Sequence, residues 1–413
     1  MSIKSFDDVF ANADLRIERL AARIIDIPTI RQQHYHFGVV NTRSPVIVQL
    51  WLSNGACGFG EAATIGGPSW NEESPESIFQ MIENYLAPSV IGKCAGRLEA
   101  LISCMDAVCR GNYFAKSAVE MAAVDAVARA YGMPAWQLLG GKQRDSFSLT
   151  WALTTGNLAK DVKDAERMLA ARRHRTFKIE LGGRTPTDDV AHVSRIAEFL
   201  QGRGTMTADI NQAWDTNTAR RFVPQLIDAG IALVEQPLAK WNVEGLGQLT
   251  AGLSRTASLM ADESVCTSQD AINAVRTNAC HVFSLKVAKH GGLLRTRAVA
   301  SIGTAADIRW FGGSMLETSL GSAASAHVFS TLPGEPHGCE LVGPQLIAED
   351  IVETPLTVRD FELRLPEGPG FGVNVVLERL ERFDRKRQGL TPVHVDMGRS
   401  GTKLKSKVSQ PAD

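Results

Sequence analysis

The sequence predicts an α/β fold: a (β/α)7–8 TIM-type barrel preceded by an N-terminal α+β domain. Three observations carry that prediction. First, five segments between Thr176 and Gly292 share one plan: T-F-K-I-E, T-A-D-I-N, V-E-Q-P, M-A-D-E-S and S-L-K-V-A-K-H-G-G. Each is a short apolar or β-branched run ending in charge, at Lys178 and Glu180, Asp209, Glu235, Asp262 and Lys286. The steps from Lys178 are 31, 26, 27 and 24 residues, about the length of one strand, one helix and two connections. Second, the linkers read as helices: Val190, Val193, Ile196, Ala197 and Leu200 follow a three-and-four spacing, with Asp188, Asp189 and Glu198 on other faces. Third, residues 20–61 alternate apolar and polar side chains, a pattern of antiparallel strands and not of βα units.

A charge at the C-terminal end of every parallel strand has one common location. In a closed barrel these ends converge on the mouth, whereas an open sheet would spread them along an edge. Asp209, Glu235 and Asp262 on successive strands would then be near neighbours. Three such anions repel unless a cation sits among them, and an all-oxygen set suits a hard divalent ion, Mg²⁺ or Mn²⁺. A single strand ending in a solvated carboxylate would mean nothing. Five consecutive units with this order of charges argue for a site.

In chain order, residues 1–17 read as a polar leader. Strands follow around Ile24–Ile27 and Val46–Leu52, the turn Ser53-Asn54-Gly55, and Gly58-Phe59-Gly60-Glu61, read together as an antiparallel meander. The two glycines are no dinucleotide fingerprint, since the third glycine and the strand–turn–helix context are missing. Helical patterns run over about 77–85, 97–110 and 115–131, and Gly140-Gly141 closes this domain, assigned to residues 1–146. The barrel is assigned to 147–350, starting at Phe147-Ser148-Leu149-Thr150-Trp151. Residues 351–386, with strand-like Pro355–Val358 and Phe361–Leu363, are expected to pack back on the first domain, and 387–413 to form a disordered tail.

Composition excludes several classes. Net charge of −1 and a pI near 6.8 leave no electrostatic footprint for nucleic acid or an anionic membrane. Apolar residues make up 44% of the 413, enough for a large core. No apolar run approaches the ~18 residues of a membrane span, and no signal-peptide core opens the chain. Seven scattered cysteines without CxxC spacing argue for reduced thiols in a cytoplasm.

The motifs Phe177-Lys178, Asp209-Ile210-Asn211-Gln212, Glu235-Gln236-Pro237, Asp262-Glu263-Ser264 and Lys286-Val287-Ala288-Lys289 resemble the enolase superfamily, in particular its muconate lactonizing enzyme subgroup. The resemblance extends from about Leu20 to Arg385. It takes in Ile65-Gly66-Gly67, Phe114–Glu120, Leu138–Gly141, Trp151–Gly156, Gly312–Glu317 and Gly338–Pro344. It implies that Asp209, Glu235 and Asp262 hold Mn²⁺ or Mg²⁺, with Glu263 beside them. Lys178 and Lys286 would flank a small dicarboxylate substrate, and Glu340 at the end of the eighth strand would complete the ring. The N-terminal domain would cap the barrel, its Ile65–Trp70 loop closing over the substrate, with Asn211, Ser284, Glu317 and Val342 also facing it. Glu317 reads equally as a cap for a neighbour, and Lys289 as solvated or as a supporting partner. The implied activity is metal-dependent lactonization of cis,cis-muconate or a chloro- or otherwise substituted muconate, in the degradation of catechol-like aromatics. A homo-oligomer is also implied.

One departure stands out. The subgroup motif K-x-K, whose second lysine exchanges a proton with the substrate α-carbon, here reads Lys178-Ile179-Glu180. A glutamate of ordinary pKa is ionised at neutral pH and cannot donate. Three readings therefore stand: a muconate or chloromuconate cycloisomerase; another metal-assisted proton-transfer enzyme such as a racemase, epimerase or dehydratase, with Glu180 or Lys286 as base; or a weakly active relative that binds.

Overall fold

A computed structural model describes residues 15–35, 38–253 and 257–388. The leader assigned to 1–17 and the tail assigned to 387–413 therefore lie, but for their inner ends, outside the described residues. The N-terminal domain opens with β1 (Ile17–Ile24), β2 (Ile27–Tyr35), β3 (Gly38–Arg43), β4 (Val46–Leu52) and β5 (Cys57–Ala62). These do not form one meander. β1, β4 and β5 make an antiparallel sheet, while β2 and β3 pair as a separate hairpin. The hairpin was missed because its Arg31, Gln33 and Tyr35 are polar yet share one face of a strand, and that face lines a cleft.

The helix Tyr113–Ala130 is buried over nearly its whole length and lies on β5. Gly58 and Gly60 permit this approach: an added Cβ would stand 2.2 Å from Ala126 N at Gly58 and 2.0 Å from Ala118 O at Gly60. The glycine pair thus serves helix-on-sheet packing.

β6 (Ser146–Ser148) stands outside the barrel, whose strands are β7 (Thr150–Leu153), β8 (Thr176–Glu180), β9 (Thr205–Asp209), β10 (Ile231–Glu235), β11 (Ser258–Ala261), β12 (Val282–Leu285) and β13 (Arg309–Gly312). β7 to β13 form one parallel sheet in sequential order. Helices such as Pro186–Leu200 provide the crossovers; this one is capped by Thr185 and buries Val193, Ile196 and Leu200. The eighth place holds no strand among the described residues. Gly338–Glu340 fills it as a bridge: Gly312 N donates to Gly338 O (2.9 Å), Glu340 N to Gly312 O (2.7 Å), and Thr150 N to Cys339 O (2.7 Å). Hydrogen bonds thus reach both edge strands of the sheet.

β14 (Val358–Arg359) and β15 (Glu362–Arg364) form an antiparallel sheet with β6. From Gly370 on, the chain runs against the N-terminal domain: Phe371 N donates to Asp125 (3.0 Å), and Arg385 pairs with Asp26 (2.8 Å).

Candidate active site

Parallel register places the strand-end charges side by side. Glu180 pairs with Asp209 across β8 and β9, and Asp209 with Glu235 across β9 and β10. At these ends the backbone takes positive φ at side-chain-bearing residues: Asn211 at 42°, Gln212 at 69° and Gln236 at 32°. Such conformations persist where surrounding bonds fix them, and they cluster at functional sites. Gln236 shows how: its Oε1 accepts from Asp262 N (2.9 Å) and Ser264 N (3.2 Å), tying the end of β10 to the turn that carries Asp262.

Lys178 stands among four carboxylates. Its Nζ lies 2.7 Å from Glu340, 3.2 Å from Asp209, 3.5 Å from Glu235 and 3.8 Å from Glu180. Burial opposes its charge, but Glu340, Glu235, Asp209 and Glu180 hold it well above the ordinary lysine value. Across the mouth, Lys286 Nζ is 2.6 Å from Asp262 and 4.5 Å from the Trp70 ring centroid. Gly313 makes room for it, since an added Cβ would stand 2.9 Å from Lys286 Cγ. Lys289 is 1% exposed and donates to Asp262 Oδ1 and O, both at 2.7 Å. That excludes the solvated reading of Lys289. Against the cost of burial, Lys286 and Lys289 keep Asp262 well below the usual carboxylate range.

Other carboxylates are not so compensated. Burial, with Asp209 next to it, pushes Glu235 up to about 8 despite Lys178. Burial likewise drives Glu180 well above the ordinary range, against the pull of Lys178. Glu263 rises by burial and by its neighbour Asp262. For Glu180 the structure thus shifts the balance toward the protonated form relative to an ordinary glutamate, through burial first and then the neighbouring carboxylates, with Lys178 opposing.

Among the described residues, no three carboxylates stand together at metal-ligand reach, because the lysines occupy the space between them. The donor set nevertheless fits a hard divalent cation. All candidate donors are oxygens, and buried oxygens lack a hydrogen-bond partner on Glu235 (Oε2, which has only the 3.5 Å ion pair with Lys178), Glu263 (both) and Asn211 (Oδ1).

Above this ring lies a narrow cleft. Lys178, Glu180, Asp209, Asn211, Lys286 and Glu340 form its floor, and Ile65, Trp70 and Val342 are in its walls. Two expected substrate contacts lie elsewhere. Glu317 is buried and turned into its own loop, accepting from Ser314 Oγ and from Met315 N (3.0 Å). Ser284 is fully buried, its Oγ bordering the same gap at Gly313 as the Lys286 side chain, and is not among the residues that line the cleft. In their place the structure brings residues that sequence reasoning passed over: Arg31, Gln33 and Tyr35 from β2, Thr154 after β7, and Ser314 and Leu316 after β13.

The site and the fold together match known proteins. Residues 160–379 fit the family described as "Enolase C-terminal domain-like", and residues 20–140 fit "Mandelate racemase / muconate lactonizing enzyme, N-terminal domain". The chain belongs to the enolase superfamily, in its muconate lactonizing enzyme subgroup. A chloromuconate cycloisomerase of Pseudomonas putida is 40% identical over 371 residues, covering 90% of this chain and 100% of that protein. Muconate cycloisomerase 1-2 of Acinetobacter lwoffii is 41% identical, covering 91% and 98%. Among solved structures, the muconate lactonizing enzyme of Pseudomonas fluorescens complexed with muconolactone superposes with a TM-score of 0.88 at 40% identity, covering 90% of this chain and 100% of that one. The protein is thus an enzyme of the cycloisomerase kind, from a group that depends on a divalent metal and acts on small acids. No helix among the described residues is long and apolar enough to cross a membrane.

Proposed function

We propose that this cycloisomerase lactonizes cis,cis-muconate or a chloro- or otherwise substituted muconate. The observation that supports it most is the pairing of Lys178 and Lys286 across a floor of carboxylates, under a cleft lined by Ile65, Trp70 and Val342. Two buried ammonium groups suit a dianionic substrate. Asp209, Glu235 and Asp262 would hold the metal, with Glu263 and Lys289 supporting Asp262, and either Mn²⁺ or Mg²⁺ suits the oxygen set. When bound, the cation supplies charge stabilisation for a substrate carboxylate and the enolate that develops beside it. The chain's own part is to orient the dianion so that one carboxylate reaches the distal double bond. Lys286 stands on one face of the site, and Glu180 takes the place of the usual lysine on the other.

Burial raises the proton affinity of Glu180 above that of an ordinary glutamate, so the K-x-E motif is compatible with closing the reaction. It equally keeps a racemase, epimerase or dehydratase as the second reading, since a buried carboxyl on that face suits proton exchange at an α-carbon. The two part on one assay. Loss of the ultraviolet absorption of muconate, or chloride release from a chloromuconate, supports lactonization; neither would occur with a racemase or dehydratase. The proposal includes a cytoplasmic homo-oligomer. Seven free thiols are in keeping with a reducing compartment, and light scattering on the purified protein tests the assembly.

A further inference from the structure

The hairpin β2–β3 carries donors that nothing in the fold uses. Gln33 is 1% exposed and Arg43 3%. Gln33 Oε1 accepts from Tyr35 Oη at 2.8 Å and from Arg43 Nη2. With that oxygen claimed twice, the amide orientation is fixed, and Nε2 is left buried without a partner. On the same strand face, two residues earlier, Arg31 spends Nη1 on Asp164 and Nη2 on Ala152 O (3.3 Å), stacked 5.2 Å over Trp151. Its Nε is likewise buried and unused. Both Arg31 and Gln33 line the cleft, together with Tyr35.

Arg43 sits behind them. It contacts Gln33 and Tyr35 (3.4 Å), leaves Nε and Nη1 unpartnered, and has no acidic partner among the described residues. A buried guanidinium without a counter-ion is costly, and unused buried donors add to the cost. A ligand oxyanion in the cleft would relieve both, by accepting from Gln33 Nε2 and Arg31 Nε within the field of Arg43.

We propose that Arg31 and Gln33 form a second oxyanion subsite for the substrate, on the part of the cleft wall that β2 supplies, with Arg43 as the residue that positions the Gln33 amide. The inference rests on the muconate reading above and names how that cleft selects. The oxyanion has two possible sources: the carboxylate of the muconate that is remote from the metal, or a further carboxylate or sulfonate carried as a substituent.

The test uses the full chain supplied with Mn²⁺, and the variants Gln33→Leu, Arg43→Met and Arg43→Lys. kcat and KM are measured on cis,cis-muconate, 3-chloromuconate and muconates bearing an added carboxylate or sulfonate. Gln33→Leu and Arg43→Met should raise KM on the order of 10- to 100-fold, the worth of a hydrogen bond to a charged group, with kcat little changed. Arg43→Lys should fall between, keeping charge but losing the planar fork. Arg43→Met should also leave the melting temperature unchanged or higher, which a purely structural arginine would not do. A KM rise on all four substrates identifies the remote carboxylate; a rise confined to the anionic derivatives identifies the substituent. Unchanged KM, or loss of kcat and melting temperature together, overturns the subsite. If the unmodified protein converts none of the four, the muconate reading fails. Calorimetric titration with adipate then decides the subsite separately: weaker binding by Gln33→Leu supports it, and equal binding overturns it.

Discussion

Two sets of buried carboxylates hold this molecule together, and they are satisfied in opposite ways. The first docks elements onto helix N-termini. Glu61 of β5 accepts from Thr318 N (2.9 Å), Thr318 Oγ1 (2.6 Å) and Gly321 N (2.9 Å), at the start of the helix Ser319–Ser330. Glu120 accepts from Leu293 N and Leu294 N (3.0 Å), where the helix Leu293–Ala305 begins. Both join the N-terminal domain to the barrel through backbone donors and a helix dipole, which no ligand exchange can remove. The second set, at the barrel mouth, is met by the side-chain ammonium groups of Lys178, Lys286 and Lys289, and leaves oxygens of Glu235, Glu263 and Glu180 without a hydrogen bond. Burial is equal in the two places; what differs is whether the partner is fixed. The first set builds the fold, and the second is left open for chemistry.

The sharpest break in that comparison is Glu235→Gln. Losing one carboxylate of the proposed metal site should cost at least ~10³-fold in rate, since charge stabilisation by a bound cation is worth several kcal/mol. Thermal stability should stay level or rise, because a neutral amide avoids the burial cost, and then the Asp209 repulsion, that lift Glu235 to about 8. Prolonged EDTA treatment should likewise abolish activity, with Mn²⁺ or Mg²⁺ restoring it. An EDTA-resistant enzyme, or a Glu235→Gln protein that fails to fold, would merge the two sets into one structural class. Next in size is Lys286→Ala, expected to lose on the order of 10²–10⁴ in rate and to be at least as damaging as Glu180→Ala. A fully active variant would move the chemistry off this face.

Glu61→Ala tests the other side. Three donors lose their acceptor, so unfolding free energy should fall by about 3 kcal/mol, while rate per folded molecule stays within a few-fold; urea melts and active-site titration separate the two. Burial also raises Glu61 and Glu120 to about 7 from the ordinary glutamate value of 4.5. A carboxyl with a raised folded value binds its proton more tightly when folded. Its stabilisation is therefore complete below the unfolded value and lost as pH climbs through the folded one. Stability of the whole protein should decline between about pH 4.5 and 7 from these groups, by ~1–3 kcal/mol each. Glu61→Gln should flatten its share of that slope.

The same contrast explains what could be read beforehand. The mouth was legible because strand ends recur with the βα period, so Lys178, Asp209, Glu235, Asp262 and Lys286 announce one location. The docking set was not, because Glu61 meets Thr318 and Glu120 meets Leu293 across long stretches of chain with no local pattern. Gly292 shows the point. In sequence it is half of a loop-like Gly-Gly, yet an added Cβ there would stand 1.9 Å from Glu120 Oε2. The β2–β3 hairpin escaped for a related reason: alternation identifies a strand when the inward residues are apolar, and here they are Arg31, Gln33 and Tyr35. Glu317 was misplaced because a carboxylate after a barrel strand can as readily cap its own loop as face a substrate. Lys289 was ambiguous until Asp262 was seen to accept from it twice.

The smallest expected effect, and the finest test of how far the mouth differs from its relatives, concerns Glu180. Lactonization of muconate ends with protonation of an enolate, and the usual donor on this face is a lysine. Burial raises the proton affinity of Glu180, but Lys178, 3.8 Å away, draws it back toward the carboxylate. When chloride sits β to the enolate carbon, the enolate can collapse by expelling chloride, forming a second carbon–carbon double bond with no proton delivered. A site with a weakened donor loses less on such a substrate. The ratio of kcat/KM on 3-chloromuconate to that on muconate should therefore exceed one. Glu180→Lys should raise activity on muconate by a few-fold more than on the chlorinated substrate, because an ammonium restores a donor only the first reaction needs. Faster turnover of plain muconate by the unmodified enzyme, with little chloride released from the chlorinated one, would show instead that Glu180 or Lys286 delivers the proton without handicap.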